Sequence, residues 1–345
     1  MPEFSSSEAK ILNLVQRDFP LTEKPFEEMG SAAGVSGGEV LRLVKDLKER
    51  NIIRNIAGIF NGESLGYHLS LVALRVPKEK TDEAASVINS HPGVSHNYLR
   101  DNDFNLWFTL AEEDEDSLRE SAGTIAKKCG AEDFLMLRNE KLFKIGFMLA
   151  IGEDDTGSEQ TGSGVRTEPF RGTLSREDRE AVYLLQSDLP LVDRPFDALA
   201  EKSDRFSGSS LIETGRRLLE MGVMRRYAAV LRHKKAGFTH NAMTAWKLGN
   251  DVNADERIRP FMEERSVTHL YLRTVVPGRW EFPLFAMVHA KSSEELESVL
   301  EKLAGDSGLT ERLVLRSVHE YKKKKVIYFS PEFQEWKRLY YDRYR

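Results

Sequence analysis

"DFPLTEKPF", residues Asp18 to Phe26, returns 170 positions later as "DLPLVDRPF", residues Asp188 to Phe196. Three more blocks return in the same order. "IIRNIAGIFNGESLGY" (Ile52 to Tyr67) reappears as "VMRRYAAVLRHKKAGF" (Val223 to Phe238). "VSHNYLR" (Val94 to Arg100) reappears as "VTHLYLR" (Val267 to Arg273), and "LRNEKLFKIGF" (Leu137 to Phe147) as "LRSVHEYKKKK" (Leu315 to Lys325). Four blocks in one order make the chain a duplication, two copies of a single unit. Between the copies, residues 151–172 read "IGEDDTGSEQTGSGVRTEPFRG", a Gly-, Ser-, Thr- and acid-rich stretch with the composition of a flexible linker.

Each copy changes character part-way. In copy one, helical patterns run from Glu8 to Asp18, Pro25 to Ala33 and Gly37 to Asn51. The third carries Val40, Leu41, Leu43, Val44 and Leu47 at helical spacing, with Ser36 placed to cap it. The β-branched run "IIRNIAGIF" follows, bounded by Gly62 and Gly66, which predicts a helix-turn-helix with a wing. Beyond it "LSLVALRV", "VSHNYLRD", "NLWFTLAE" and "DFLMLRNEKLFKI" read as strands. Helices Glu79 to Ser90 and Asp114 to Cys129 fall between them, giving the ferredoxin-like order βαββαβ. Copy two repeats this from Asn241 to Phe329. The expected class is α+β, with winged helix-turn-helix domains at 7–62 and 174–233, βαββαβ domains at 66–150 and 237–330, and a tail at 331–345 whose role stays open, a lid and a docking helix being two options.

Bulk properties exclude several classes. The 345 residues are 40% hydrophobic and 30% charged, an ordinary globular mixture. No run approaches the roughly 20 apolar residues of a membrane span, and "MPEFSSSEAK" is not a signal pattern, so a cytoplasmic protein is expected. Cys129 is the only cysteine, which leaves no intrachain disulfide and no CxxC site. The sequence also lacks GxGxxG, P-loop, HExxH, GxSxG and EF-hand signatures. An enzyme built this way works by acid–base groups and positioning, or on a substrate that carries its own electronic machinery.

A helix-turn-helix raises the prospect of DNA. Sequence readers place basic and amide side chains at the start of the second helix. Here those positions read "SGGEV" (Ser36 to Val40) and "SGSSLIE" (Ser207 to Glu213), small, polar and acidic. The net charge of −5 also argues against a chain devoted to phosphate backbones, so DNA binding is not expected. Cations gather elsewhere. "RRYAAVLRHKKAGF" (Arg225 to Phe238) holds five Arg or Lys and one His. At its tip Arg232, His233, Lys234 and Lys235 stand where copy one has Asn61, Gly62, Glu63 and Ser64. A solvated basic loop is the plain alternative to an anion site.

Strand alternation supplies a second cluster. His96, Tyr98 and Arg100 share one face, and His269, Tyr271 and Arg273 share the equivalent face of copy two. Phe285, Met287 and His289 share a face on "PLFAMVHA". The same trio twice points to a cleft on the uncovered side of the sheets.

A winged helix followed by βαββαβ resembles the Lrp/AsnC architecture, in which the sheets of two subunits pair face to face; one chain with both copies would form an internal pseudo-dimer. The blocks "FPLTEKPF", "LPLVDRPF", "RRYAAVLRHKKAGFTHNAMTAW", "VSHNYLRDNDFNLWFTL" and "VTHLYLR", with Trp280 and "PLFAMVHA", resemble siroheme decarboxylases of the fused two-subunit type over nearly the whole chain. Departures include Arg54–Asn55, Thr268 and "TVVPGRWEFPLF". The resemblance implies loss of CO2 from two acetate side chains of siroheme, giving didecarboxysiroheme in haem or d1-type haem biosynthesis. It implies no cofactor, because siroheme is the substrate and brings its own iron.

On that resemblance, Arg225, Arg226, Arg232, Lys234, Lys235, Arg273, Arg100, Lys322 and Lys323 would hold the carboxylate rim, alongside Tyr98, Tyr271 and Trp280. His233 would donate the proton, helped by His96 and His269, in one main site formed mostly by copy two. His289 would contact the substrate iron, with no intrinsic metal. A tetrapyrrole-sensing regulator of Lrp/AsnC type and an inactive binding protein are the alternatives, and further self-association stays open.

Overall fold

The structure is a computed structural model that describes residues 6–145, 169–231, 240–249 and 254–341. It divides into two compact units. Residues 151–168 of the expected linker and the basic tip Arg232 to Lys235 fall outside the described residues.

The first unit combines the helical parts of both copies. Copy one contributes α1 (Ser6–Arg17), α2 (Pro25–Ala33), α3 (Gly37–Glu49) and β1 (Ile53–Phe60). Ser36 accepts from the Glu39 amide while the Glu39 carboxylate accepts from the Ser36 amide, a capping box that starts α3. Gly34 ends α2 at φ 77°, a left-handed conformation that a side chain would strain. Copy two contributes α6 (Arg176–Leu185), α7 (Pro195–Ala200), α8 (Gly208–Glu220) and β6 (Met224–Leu231).

Among the described residues the wing strands close no hairpin within their own copies. β1 pairs antiparallel with β6 across the duplication. The repeated FPL motif explains the exchange. The Phe19 amide donates to the Tyr227 carbonyl and the Leu189 amide to the Ile56 carbonyl, both at 2.8 Å, so each motif binds the other copy's strand. Phe19 and Phe196 then pack on the fully buried Tyr227, with centroids 6.0 and 5.4 Å away. Each such aromatic contributes roughly 1.5–3 kcal/mol of burial, available only when both copies are present.

The second unit holds both βαββαβ halves. The first is β2 (His68–Arg75), α4 (Thr81–Ser90), β3 (Val94–Arg100), β4 (Leu106–Glu112), α5 (Glu115–Lys128) and β5 (Asp133–Ile145). The second is β7 (His240–Trp246), α9 (Ala254–Glu263), β8 (Val267–Arg273), β9 (Leu284–Ala290), α10 (Ser293–Ser307) and β10 (Arg312–Lys323). The halves pack face to face, Leu71, Trp107 and Leu135 of the first against Ala245, Phe285 and Leu315 of the second, and their edges join. They close one barrel of order β10-β3-β4-β2-β5-β8-β9-β7. The long last strand of each half does this by changing partners. β5 pairs with β2 through Arg138 and with β8 from Asn139; β10 pairs with β7 through Arg316 and with β3 from Ser317. Closure removes the exposed edges that an open sheet would carry.

Helices cover the outside over two apolar cores, one around Val72, Phe108 and Ile125 and one around Trp246, Phe261 and Leu300. The opposite parity faces the lumen: Leu71, Ala73, Trp107, Leu135, Leu137, Ala245, Phe285 and Leu315. The tail forms α11 (Glu332–Tyr340), which docks on the first half through Trp336 and Tyr341. There Lys337 Nζ lies 3.0 Å from Glu112 Oε2, both side chains buried. The ammonium is outside hydrogen-bond geometry for that oxygen and donates instead to Ser117 Oγ at 3.1 Å, so its hold on Glu112 is charge on charge. Glu112 Oε1 also takes Ser121 Oγ–H at 2.5 Å and lies 3.1 Å from His91 Nε2. Copy two has Ala290 at the position of Glu112, and α11 docks on copy one. Among the described residues no helix is long and apolar enough to cross a membrane.

Candidate active site

The parity that buries Leu135 and Phe285 in the lumen also turns His96, Tyr98 and Arg100 of β3, and His269, Tyr271 and Arg273 of β8, inward. His289 follows Phe285 and Met287 on β9 into the same space, and Lys323 of β10 stands opposite His96 in register. These strands run so that His96, His269, His289 and Lys323 gather at one end of the barrel. The two trios therefore share one face, as the alternation predicts.

The charges at this end crowd each other. His269 is pushed down to about 4, first by burial and then by the positive charges of His289, His96 and Lys323. Among the described residues no carboxylate is among the groups acting on it. Each of the two imidazoles carries a hydroxyl at Nδ1: Ser95 Oγ lies 2.9 Å from His96 Nδ1 and Thr268 Oγ1 2.9 Å from His269 Nδ1. In copy one Thr109 extends the chain. Its oxygen accepts the His96 amide at 3.2 Å and lies 2.6 Å from Ser95 Oγ. Thr109, Ser95 and the His96 ring thus form one hydrogen-bonded chain whose direction follows the tautomer of the imidazole. Ser95, Thr109 and Thr268 did not figure among the predicted residues. The signal was present, since a hydroxyl residue precedes the histidine in both "SHNYLR" and "THLYLR".

Beyond each histidine the trio is a stack. Tyr98 lies 6.2 Å from His96 at 21°, and Tyr271 6.4 Å from His269 at 19°. The Arg100 guanidinium sits over Tyr98 and that of Arg273 over Tyr271, 5.1 and 4.9 Å from the ring centres. Burial, with Glu320 accepting its hydroxyl proton at 3.2 Å, pushes Tyr98 up to about 12.

Several expected rim residues are used otherwise. Arg100 and Arg273 are 5% and 8% exposed, and their Nη1 atoms donate to the carbonyls of Leu315 at 2.7 Å and Leu137 at 3.1 Å. They are interior groups, not an exposed rim, because the lumen-facing parity that inverts the trio buries its last member deepest. Lys322 points away from the lumen. Lying one residue from Lys323, it takes the opposite face and donates to the Asn89 and His91 carbonyls at the end of α4, at 2.8 and 3.1 Å. Burial and the nearby Lys324 push it down to about 8.

Trp280 stands apart from the histidines. It lies in the lumen beyond Arg273, at the end away from the histidines, packed on Trp107 and Phe285 with Nε1 donating to the Phe282 carbonyl. The turn through Gly278 inserts it there, where it borders a cavity of about 360 Å³ together with Arg75, Phe104 and Arg279. Arg225 and Arg226 belong to β6 of the helical unit. Burial and the neighbouring Arg225 hold Arg226 below the usual guanidinium value. His233, Arg232, Lys234 and Lys235 lie outside the described residues. Among those described, no group of three or more His, Cys, Asp or Glu is arranged to hold a metal ion.

The family models agree with this division. An AsnC-like ligand binding domain matches residues 64–144 and 235–322, and a siroheme decarboxylase NirDL-like HTH domain matches 8–54 and 178–225. A siroheme decarboxylase of Hydrogenobacter thermophilus is 38% identical over 329 residues, 95% of this chain and 96% of that one. The chain belongs to the siroheme decarboxylase family. A siroheme decarboxylase NirDL subunit of Paracoccus denitrificans is 32% identical over 84% of this chain and 87% of its own length. The crystal structure of the siroheme decarboxylase NirDL with an iron-uroporphyrin III analogue superposes with a TM-score of 0.78 at 33% identity, covering 97% of this chain and 98% of that one. Siroheme decarboxylases of this fused kind have the fold described above: paired helical domains and two AsnC-like halves in one chain.

Proposed function

We propose that the chain removes CO2, without oxidation, from two acetate side chains of siroheme to give 12,18-didecarboxysiroheme. The observation that carries the reading is the crowd of His96, His269, His289 and Lys323 at one end of the lumen, with no carboxylate among the described groups that act on His269. Such a site is unfavourable empty and favourable around a polyanion. The complex of the related NirDL with an iron-uroporphyrin analogue supports a carboxylate-rich iron tetrapyrrole as the occupant.

The chemistry balances without an oxidant. The bond between the acetate methylene and its carboxylate carbon breaks, and CO2 departs. The electron pair stays on the methylene carbon, where the adjoining conjugated ring spreads it. A proton converts that carbon to a methyl group. The reading needs no cofactor besides the substrate's own macrocycle. His96 and His269 are the proton donors assigned from the described residues. Burial first, and then the neighbouring His289, His96 and Lys323, keep His269 neutral; the carboxylates of the substrate would oppose that field and let it take up the proton that it delivers. Didecarboxysiroheme would feed the formation of haem or d1-type haem.

Turnover in D2O tests this. Each new methyl group should carry one deuterium, and only when the protein is present. Methyl groups without solvent deuterium would exclude protonation of a carbanion-like centre.

A further inference from the structure

The sequence His-x-Tyr-x-Arg occurs once in each half, and the structure repeats its geometry closely although the surroundings have diverged. Copy one places Thr109 and Ala111 where copy two has Met287 and His289. Yet imidazole, phenol ring and guanidinium form the same column in both, within 0.2 Å in ring spacing. Each arginine is almost fully buried, and its Nε has no hydrogen-bond partner. Neither has a carboxylate within ion-pair distance among the described residues. A buried, unpaired guanidinium is costly, and packing alone would be served by an apolar side chain.

The acceptors show what each arginine does. Leu315 and Leu137 are the last lumen-facing residues before β10 and β5 change partners, at Arg316/Ser317 and Arg138/Asn139. Each arginine thus ties the carbonyl at the barrel's seam to a tyrosine ring, and that ring is one wall of the imidazole's seat. The hydroxyl at Nδ1 is another.

We propose that Arg100 with Tyr98, and Arg273 with Tyr271, are positioning residues that fix the orientation of His96 and His269 from the barrel seams, and are not ligands of substrate carboxylates. The proposal rests on the decarboxylase reading for its kinetic consequence but not for its geometry. Misplacing a proton donor by about an ångström costs up to ~10²-fold. Loss of a carboxylate ligand would weaken binding instead.

The test uses the full chain with Arg273→Met, Tyr271→Leu and Tyr271→Phe. Kinetics with siroheme and absorbance titration with iron-uroporphyrin III as the binding probe supply the readouts. Arg273→Met and Tyr271→Leu should lower kcat by ~10–100-fold with probe affinity within about threefold of the parent. Tyr271→Phe, which keeps the ring, should recover at least tenfold over Tyr271→Leu. A variant that loses more than about tenfold in affinity at unchanged kcat would overturn the proposal and restore a carboxylate-binding role. Imidazole ¹H–¹⁵N spectra read the column without turnover. The His269 signals should shift or broaden in Tyr271→Leu and return in Tyr271→Phe; unchanged signals in Tyr271→Leu would overturn it. An inactive parent protein would instead defeat the decarboxylase reading, leaving the spectra to judge the column. The tyrosine pair serves in place of Arg273→Met if that variant does not fold.

Discussion

Replacing Lys337 by Met should unlatch the C-terminal helix. Lys337 Nζ lies 3.0 Å from Glu112 Oε2, and the two side chains are 5% and 0% exposed. Methionine fills the space of the aliphatic stem but leaves the Glu112 carboxylate buried with only neutral partners, Ser121 and His91. Removing one member of a buried pair costs about 3–5 kcal/mol. For a unit of this size that corresponds to a fall in Tm of roughly 6–20 °C. The double variant Glu112→Met with Lys337→Met removes the stranded charge and should regain much of the loss. His91 Nε2–H can then donate to Ser121 Oγ, 3.1 Å away. Calorimetry gives the stabilities, and hydrogen exchange over Glu332–Tyr340 shows whether the helix itself has come loose. A single variant within about 2 °C of the parent, or a double variant no better than the single, would refute the reasoning.

Other consequences can be checked with the same material. Burial holds His91 below 6.5 despite Glu112, so its contribution to stability is complete above pH 6.5 and is lost as the pH falls below it. Burial raises Glu112, but His91, Ser121 and Lys337 outweigh it and hold it below 4.5, so its contribution is lost below that value. Tm should therefore hold steady near neutrality, decline below pH 6.5 and decline further below 4.5; a Tm that rises between pH 7 and 5 would contradict the first sign, and one that rises below pH 4.5 the second. His269→Ala or His96→Ala should lower decarboxylation by about 10²–10⁴-fold, and His233→Ala, the sequence-based expectation, belongs in the same assay. Parental rates from all three would remove imidazole as the proton donor. Thr268→Val frees the His269 ring and should cost roughly tenfold in kcat while leaving iron-uroporphyrin III binding in place; an unaltered kcat would show that the hydroxyl does not orient the ring.

Much of the architecture was legible in the chain because it is said twice. The FPL motifs, the capping serine at position 36 and the βαββαβ order all follow from local pattern, and the structure matches them nearly residue for residue. The inward trio was legible for the same reason, since a period of two decides which side chains share a face. What local pattern does not encode is partner choice. "IIRNIAGIF" looks the same whether it folds back on itself or crosses to β6. The barrel was hinted at only by the length of "DFLMLRNEKLFKI", longer than a single sheet partner needs. The roles of Lys322 and Trp280 went unseen because they depend on α4 and on a turn at Gly278, neither of which is adjacent on the strand face. The burial of Arg100 and Arg273 was not legible because it comes from closure of the barrel, which supplies carbonyl acceptors from distant strands.

The mass of the tetrapyrrole recovered after anaerobic incubation with siroheme bears most directly on the central claim. Two CO2 units should be missing when the intact protein is present, and the loss should fail when His96 and His269 are both replaced. Siroheme returned at its original mass by the intact protein would contradict the account.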